Sequence, residues 1–131
     1  MKLNRFYIII MIIILASLTF SACASGQDAP AQAVEQYYQA LVEKDQDRMV
    51  SLTCAEFESQ ALLEFDSFVS VETTLADFSC ETVSQEDGTA QVTCQGAISA
   101  SYQGEVRDFP LSGQTYQVIQ QAGEWLMCGY E

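Results

Sequence analysis

The chain carries five cysteines and no histidine. Without histidine there are no Ser-His or Cys-His nucleophile pairs, no imidazole general base and no imidazole metal ligand. Chemistry therefore falls to thiols, carboxylates and phenols. Cys54, Cys80, Cys94 and Cys128 have spacings that suit neither paired CxxC zinc knuckles nor a thioredoxin-type CxxC. An even set in an exported domain implies disulfides, with three connectivities open. Hairpin geometry favours one of them. Leu75 to Val83 and Ala90 to Tyr102 read as strands around Glu86-Asp87-Gly88, a three-residue loop with glycine in the left-handed position. Centring the hairpin on Asp87 sets Cys80 directly opposite Cys94. That bridge contributes about 3 kcal/mol in the chain-entropy model. Cys54 and Cys128 are left to tie the helical half to the last strand, with a longer loop and about 4 to 5 kcal/mol.

The fifth cysteine, Cys23, ends a different pattern. Lys2 and Arg5 precede the apolar run Phe6 to Leu15, and small residues lead to Ser21-Ala22-Cys23. A positive start, an apolar stretch and small residues at a cut site make an export signal. Phe20-Ser21-Ala22-Cys23 resembles the cut site of bacterial lipoproteins, although Phe20 stands where an aliphatic residue is usual. The resemblance implies that Cys23 becomes the first mature residue, carries acyl chains such as palmitate, and holds the protein at the cell membrane or outer membrane on its extracytoplasmic side. Two or more chains give stable anchoring where one would be marginal. A cut after Ala24 would instead release a soluble secreted protein. An uncut anchor would need about 20 apolar residues, more than Phe6 to Phe20 supply. The expected organisation is residues 1–22 as signal peptide, 23–29 as tether and 30–131 as one α+β domain.

Removing 1–22 leaves Lys44, Arg48 and Arg107 against all 18 acidic residues, a side-chain charge of −15. Such a chain lacks the basic patches that nucleic acid and anionic lipid require. The acids are scattered, and Ser84-Gln-Glu-Asp-Gly-Thr89 lacks EF-hand ligand spacing. Neither a metal site nor a cofactor is expected.

Asp28 and Pro30 open a first helix, an acid at the cap and proline in the first turn. Its apolar stripe is Ala33, Val34, Tyr37, Tyr38, Leu41 and Val42. Lys44-Asp45 ends it, and Asp45 caps a short second helix carrying Met49, Val50 and Leu52. A third helix spans about Glu56 to Phe68, with Phe57, Ala61, Leu62, Phe65 and Phe68 on one side. The period then changes to two. Phe78, Cys80 and Thr82 share a face, as do Val92, Cys94, Ile98 and Tyr102. Val106 to Ile119 is interrupted at Pro110 and Gly113, which predicts a bulge or bend rather than a clean central strand, and Trp125 to Tyr130 closes the sheet.

Helices followed by an antiparallel meander give an α+β order. Residues 30 to 130 resemble the nuclear transport factor 2-like (NTF2-like), or cystatin-like, superfamily. The resemblance rests on Ala33 to Asp45, on Asp47-Arg-Met-Val-Ser-Leu52 and on the closing Gly123 to Tyr130. It implies N-terminal helices packed on a curved antiparallel sheet that wraps the first helix into a cone. Tyr37, Tyr38, Phe57, Phe65, Tyr102, Tyr116 and Trp125 are the candidates to line a cavity in that cone. The simpler reading is that they fill the core, since each aromatic buries a large area. Asp66, Asp77 and Asp108 read as solvated or capping, and no carboxylate pair is nominated as catalytic. The leading expectation is a non-enzymatic envelope lipoprotein that contacts another protein. The alternative is a small-molecule binder using the open end of the cone. An isomerase or dehydratase would require a buried Asp or Glu with a raised pKa beside a tyrosine.

Overall fold

The structure is a computed structural model that describes residues 28–131. The expected signal peptide, Cys23 and most of the tether lie outside the described residues. Helix α1 (Ala29–Glu43) is followed by α2 (Gln46–Ser51) and α3 (Glu58–Phe68). Five strands then form one antiparallel sheet: β1 (Glu72–Glu86), β2 (Thr89–Tyr102), β3 (Glu105–Pro110), β4 (Thr115–Gln121) and β5 (Glu124–Tyr130). The α+β class and the curved sheet wrapped on the helices are as expected from the sequence.

Helix α1 forms because its apolar positions recur every three to four residues and Pro30 sits in the first turn, where a missing donor costs nothing. Ala33, Val34, Tyr37, Tyr38 and Leu41 are all buried. Lys44 ends the helix in a left-handed conformation, φ 64°, and Asp45 then caps α2 by accepting from the Arg48 amide at 3.1 Å. The expected cap at Asp28 does not form. A neighbouring strand supplies the acceptor instead: the Ala31 amide donates to Thr82 Oγ1 at 3.2 Å. The free edge of β1 is further satisfied by α1, since Glu35 Oε1 accepts from the Cys80 amide at 2.9 Å.

The β1–β2 hairpin corrects the expected loop. Its turn has two residues, Asp87 and Gly88, both at positive φ (49° and 75°), and Glu86 pairs with Thr89. Positive φ at both central positions matches the right-handed twist of the flanking strands better than a three-residue loop would. A bulge between Thr82 and Ser84 then shifts the register by one, so Cys80 still pairs with Cys94. A second irregularity sets Asp77 (φ 49°) and Phe78 against Gly96 (φ 90°).

That second bulge divides the sheet. The first half of β2 pairs with β4 and the second half with β3, so the run Val106 to Ile119 becomes two strands rather than one bent strand. Beneath them lies a single core in which Tyr37, Tyr38, Met49, Ile98, Tyr116 and Met127 are fully buried. At the far edge, Thr53 bridges Met127 in parallel, and the Cys54 amide donates to the Met127 carbonyl at 2.9 Å. This short segment covers the outer edge of β5.

Candidate functional site

At one end of the cone is a recess of about 280 Å³. Helix α3 supplies Glu64 and Phe68, one turn apart on the same face. Helix α1 contributes Tyr38 at the floor, β5 contributes Tyr130, and Phe109, Leu111 and Gln114 close the side where β3 runs on toward β4. The Phe68 and Phe109 rings meet edge to face at 5.2 Å and join helix to strand across the rim. Tyr116 donates to the Leu111 carbonyl at 2.9 Å and ties down the connecting segment.

Glu64 is the polar centre. Its Oε2 accepts a 2.6 Å hydrogen bond from the Tyr37 hydroxyl. Burial raises the Glu64 carboxyl above the ordinary glutamate value, and the Tyr37 bond opposes that rise without cancelling it. The phenols respond to the same environment. Burial, and then the Glu64 charge, raises Tyr37. Burial raises Tyr38 and Tyr130 as well, and pushes Tyr116 up to about 12. The tyrosines are therefore neutral near pH 7, and Glu64 is the carboxyl of this cluster, raised by its burial.

None of the three described cations reaches Glu64. Lys44 Nζ donates to the Phe68 carbonyl at 2.7 Å and to Thr73 Oγ1 at 2.6 Å. Arg48 pairs with Glu43 at 3.1 Å. Arg107 lies 4.0 Å from Glu105 and stacks over the Tyr102 ring. The site thus combines one recessed carboxylate, neutral phenols and aromatic walls. It can accept hydrogen bonds, hold a positive charge, or exchange a proton at Glu64.

The other sequence-derived residues lie as follows. Cys54 joins Cys128 and Cys80 joins Cys94, with S–S distances of 1.99 and 2.00 Å. Cys54, Glu56 and Cys128 lie close together, but both sulfurs are in the disulfide and offer no thiolate to a metal. Of the aromatic residues considered for a cavity, Tyr38 lines the recess. Tyr37, Phe57, Phe65 and Tyr116 are packed in the core, with Tyr37 touching the site through Glu64. Tyr102 is half-buried under Arg107 on the outer part of the sheet. Trp125 lines a separate, larger depression of about 540 Å³ with Gln32, Gln36 and Ser51. Asp66, Asp77 and Asp108 are exposed, and Asp108 accepts from the Ser99 hydroxyl.

Glu64 itself was not among the sequence candidates. Its position carries a signal, because it falls three residues after Ala61 and four before Phe68, both on the buried side of α3.

No protein-family model matches the chain, and no curated protein matches it in sequence. Solved structures are similar to it in fold. One is a SEC-C motif-containing protein from Rhodopseudomonas palustris, with a TM-score of 0.55 at 16% identity, covering 79% of this chain and 77% of that one. Another is a candidate dehydratase of the NTF2-like family from Streptomyces avermitilis, with a TM-score of 0.53 at 15% identity, covering 76% and 88%. A third is an NTF2-like protein of unknown function from Pseudomonas putida, with a TM-score of 0.50 at 10% identity, covering 76% and 79%. At such identities the likeness concerns the fold alone. The domain shares its α+β cone fold with these NTF2-like structures.

Proposed function

We propose that this chain is an exported, lipid-anchored binding module that takes a small molecule at the mouth of its cone. The observation that carries this reading is the recess itself, with Glu64 and aromatic walls converging on about 280 Å³. That volume is near the lower end of ordinary ligand sites, which run to roughly 300 Å³ and above. Glu64, recessed, raised in pKa and bonded to Tyr37, has the features an isomerase or dehydratase would require. Binding is put ahead of catalysis because Tyr37 is fully buried and does not line the recess, which leaves Glu64 as the one carboxyl there. Anchoring rests on the lipoprotein-like Ser21-Ala22-Cys23. The tether from Cys23 to Ala29 would keep the domain within about 20 Å of a bilayer. Two disulfides are compatible with a location outside the cytoplasm. Among the described residues no helix is long and apolar enough to cross a membrane.

A protein partner in the cell envelope is the second reading. Every residue of β3 is exposed, and Val106 is 65% exposed. Native mass spectrometry of the full-length protein from its own membranes, in mild detergent, tests both readings. Acyl mass on Cys23 and a co-eluting small molecule that is lost in Gln114→Trp, which fills the recess, are expected. A co-eluting protein unaffected by that substitution would favour the β3 reading. A bare chain beginning near Ser25 would overturn the anchor.

A further inference from the structure

The Glu64 carboxyl in the recess is met by the Tyr37 hydroxyl and by no cation among the described residues. Lys44, Arg48 and Arg107 are each engaged elsewhere, and the described residues carry 18 acids. A recessed carboxylate without a cation is costly, and a ligand cation would offset that cost. The walls are suited to the same charge. Tyr38, Phe68, Phe109 and Tyr130 line the space beside Glu64, and aromatic rings attract cations that have little hydration to lose. An acidic surface also raises the local concentration of cations at the mouth.

Resting on the small-molecule reading above, we infer that the ligand is an organic cation whose quaternary or methylated ammonium head sits in the recess against Glu64, beside the Phe68–Phe109 pair and Tyr130. The recess is too small for a drug-sized molecule but admits such a head group. An ammonium of this kind could be free or could be the head of a phospholipid. The chemistry is the same, and the two sources are separated by experiment.

The test is calorimetric titration of the full-length protein, in a maltoside detergent, with choline and with its neutral isostere 3,3-dimethylbutan-1-ol. Choline should bind roughly tenfold or more tightly than the alcohol. Glu64→Gln should narrow that discrimination markedly, and circular dichroism should show the variant folded. If Glu64→Gln does not fold, Phe109→Leu at the half-exposed rim is the second variant, and it should weaken choline more than the alcohol. Equal binding of both probes would overturn the cationic ligand and leave the small-molecule reading intact. Binding of neither probe would overturn the cation, and a fragment screen read at recess residues would then judge the small-molecule reading separately. Repeating the titration in nanodiscs identifies the source. Loss of choline binding in phosphatidylcholine discs but not in phosphatidylglycerol discs assigns a lipid head group, and equal binding in both assigns a free cation.

Discussion

The Tyr37 hydroxyl donates to Glu64 at 2.6 Å, linking helix α1 to helix α3 across 27 positions of sequence. The bond does two things at once. It satisfies a recessed carboxylate, and it lowers the Glu64 pKa against the larger effect of burial. Tyr37→Phe keeps the ring that packs against Tyr38 and Phe57 and removes only the donor. A hydrogen bond to a charged group contributes about 1.5 to 3 kcal/mol, so urea denaturation should register a loss of that size. A carbon-detected NMR titration should show Glu64 protonating at higher pH in the variant. An unchanged titration would mean that Tyr37 does not govern the charge.

Stability should also depend on pH through Glu64. Its folded carboxyl lies above the ordinary value of 4.5, so the folded chain binds this proton more tightly than the unfolded chain does. The contribution is full below pH 4.5 and is lost as pH rises through the folded value. Glu64→Gln removes the dependence. The stability of the native protein minus that of the variant should therefore fall with rising pH over that interval. The remaining carboxylates are common to both proteins and cancel in the difference. Denaturation curves measured from about pH 4 to 8 that stayed parallel would contradict the burial of this charge.

Gly96 occupies the point where β2 passes from β4 to β3. Its φ is 90°, and a Cβ there would lie 2.4 Å from the Ala76 carbonyl oxygen and 2.6 Å from that of Asp77. Both atoms are backbone and cannot turn aside. Gly96→Ala should therefore cost about 3 kcal/mol or more, among the larger single-residue effects. Gly113, at φ 85° with open space around its Cβ direction, separates conformational strain from collision. Gly113→Ala should cost about 1 kcal/mol. Similar melting temperatures for the two variants would contradict the close approach.

The parts of this fold legible in the sequence were those governed by period. The α1 stripe and the alternation along β2 each bury the residues their spacing indicates. What escaped depended on two segments meeting. The Asp28 cap was replaced by Thr82, distant in sequence, because β1 delivers an acceptor to the helix start. The pairing of Cys80 with Cys94 follows from a two-residue turn and a bulge whose effects on register offset one another. Centring a three-residue loop on Asp87 leads to the same pair. Glu64 escaped because α3 carries Glu58, Glu64 and Asp66, and spacing alone does not say which of these acids faces a recess. That requires knowing that β3 and β5 leave a gap opposite it.

The two disulfides should differ in what their loss does. Cys54 and Cys128 are 74 residues apart and Cys80 and Cys94 are 14 apart. In the chain-entropy model their removal costs about 4.5 and 3 kcal/mol respectively. Native context widens the gap. The Cys80–Cys94 bridge lies inside a hairpin whose ladder pairs residues on both sides of it, so the strands stay in register without it. Cys54–Cys128 instead fastens the segment after α2 to β5, where pairing consists of one short parallel bridge. The double variant Cys54→Ser/Cys128→Ser should therefore lower the urea midpoint more than Cys80→Ser/Cys94→Ser. Hydrogen exchange should rise first at Thr53, Cys54 and Met127, while amides of the β1–β2 hairpin keep their protection. The opposite order of midpoints would place the principal covalent constraint in the hairpin.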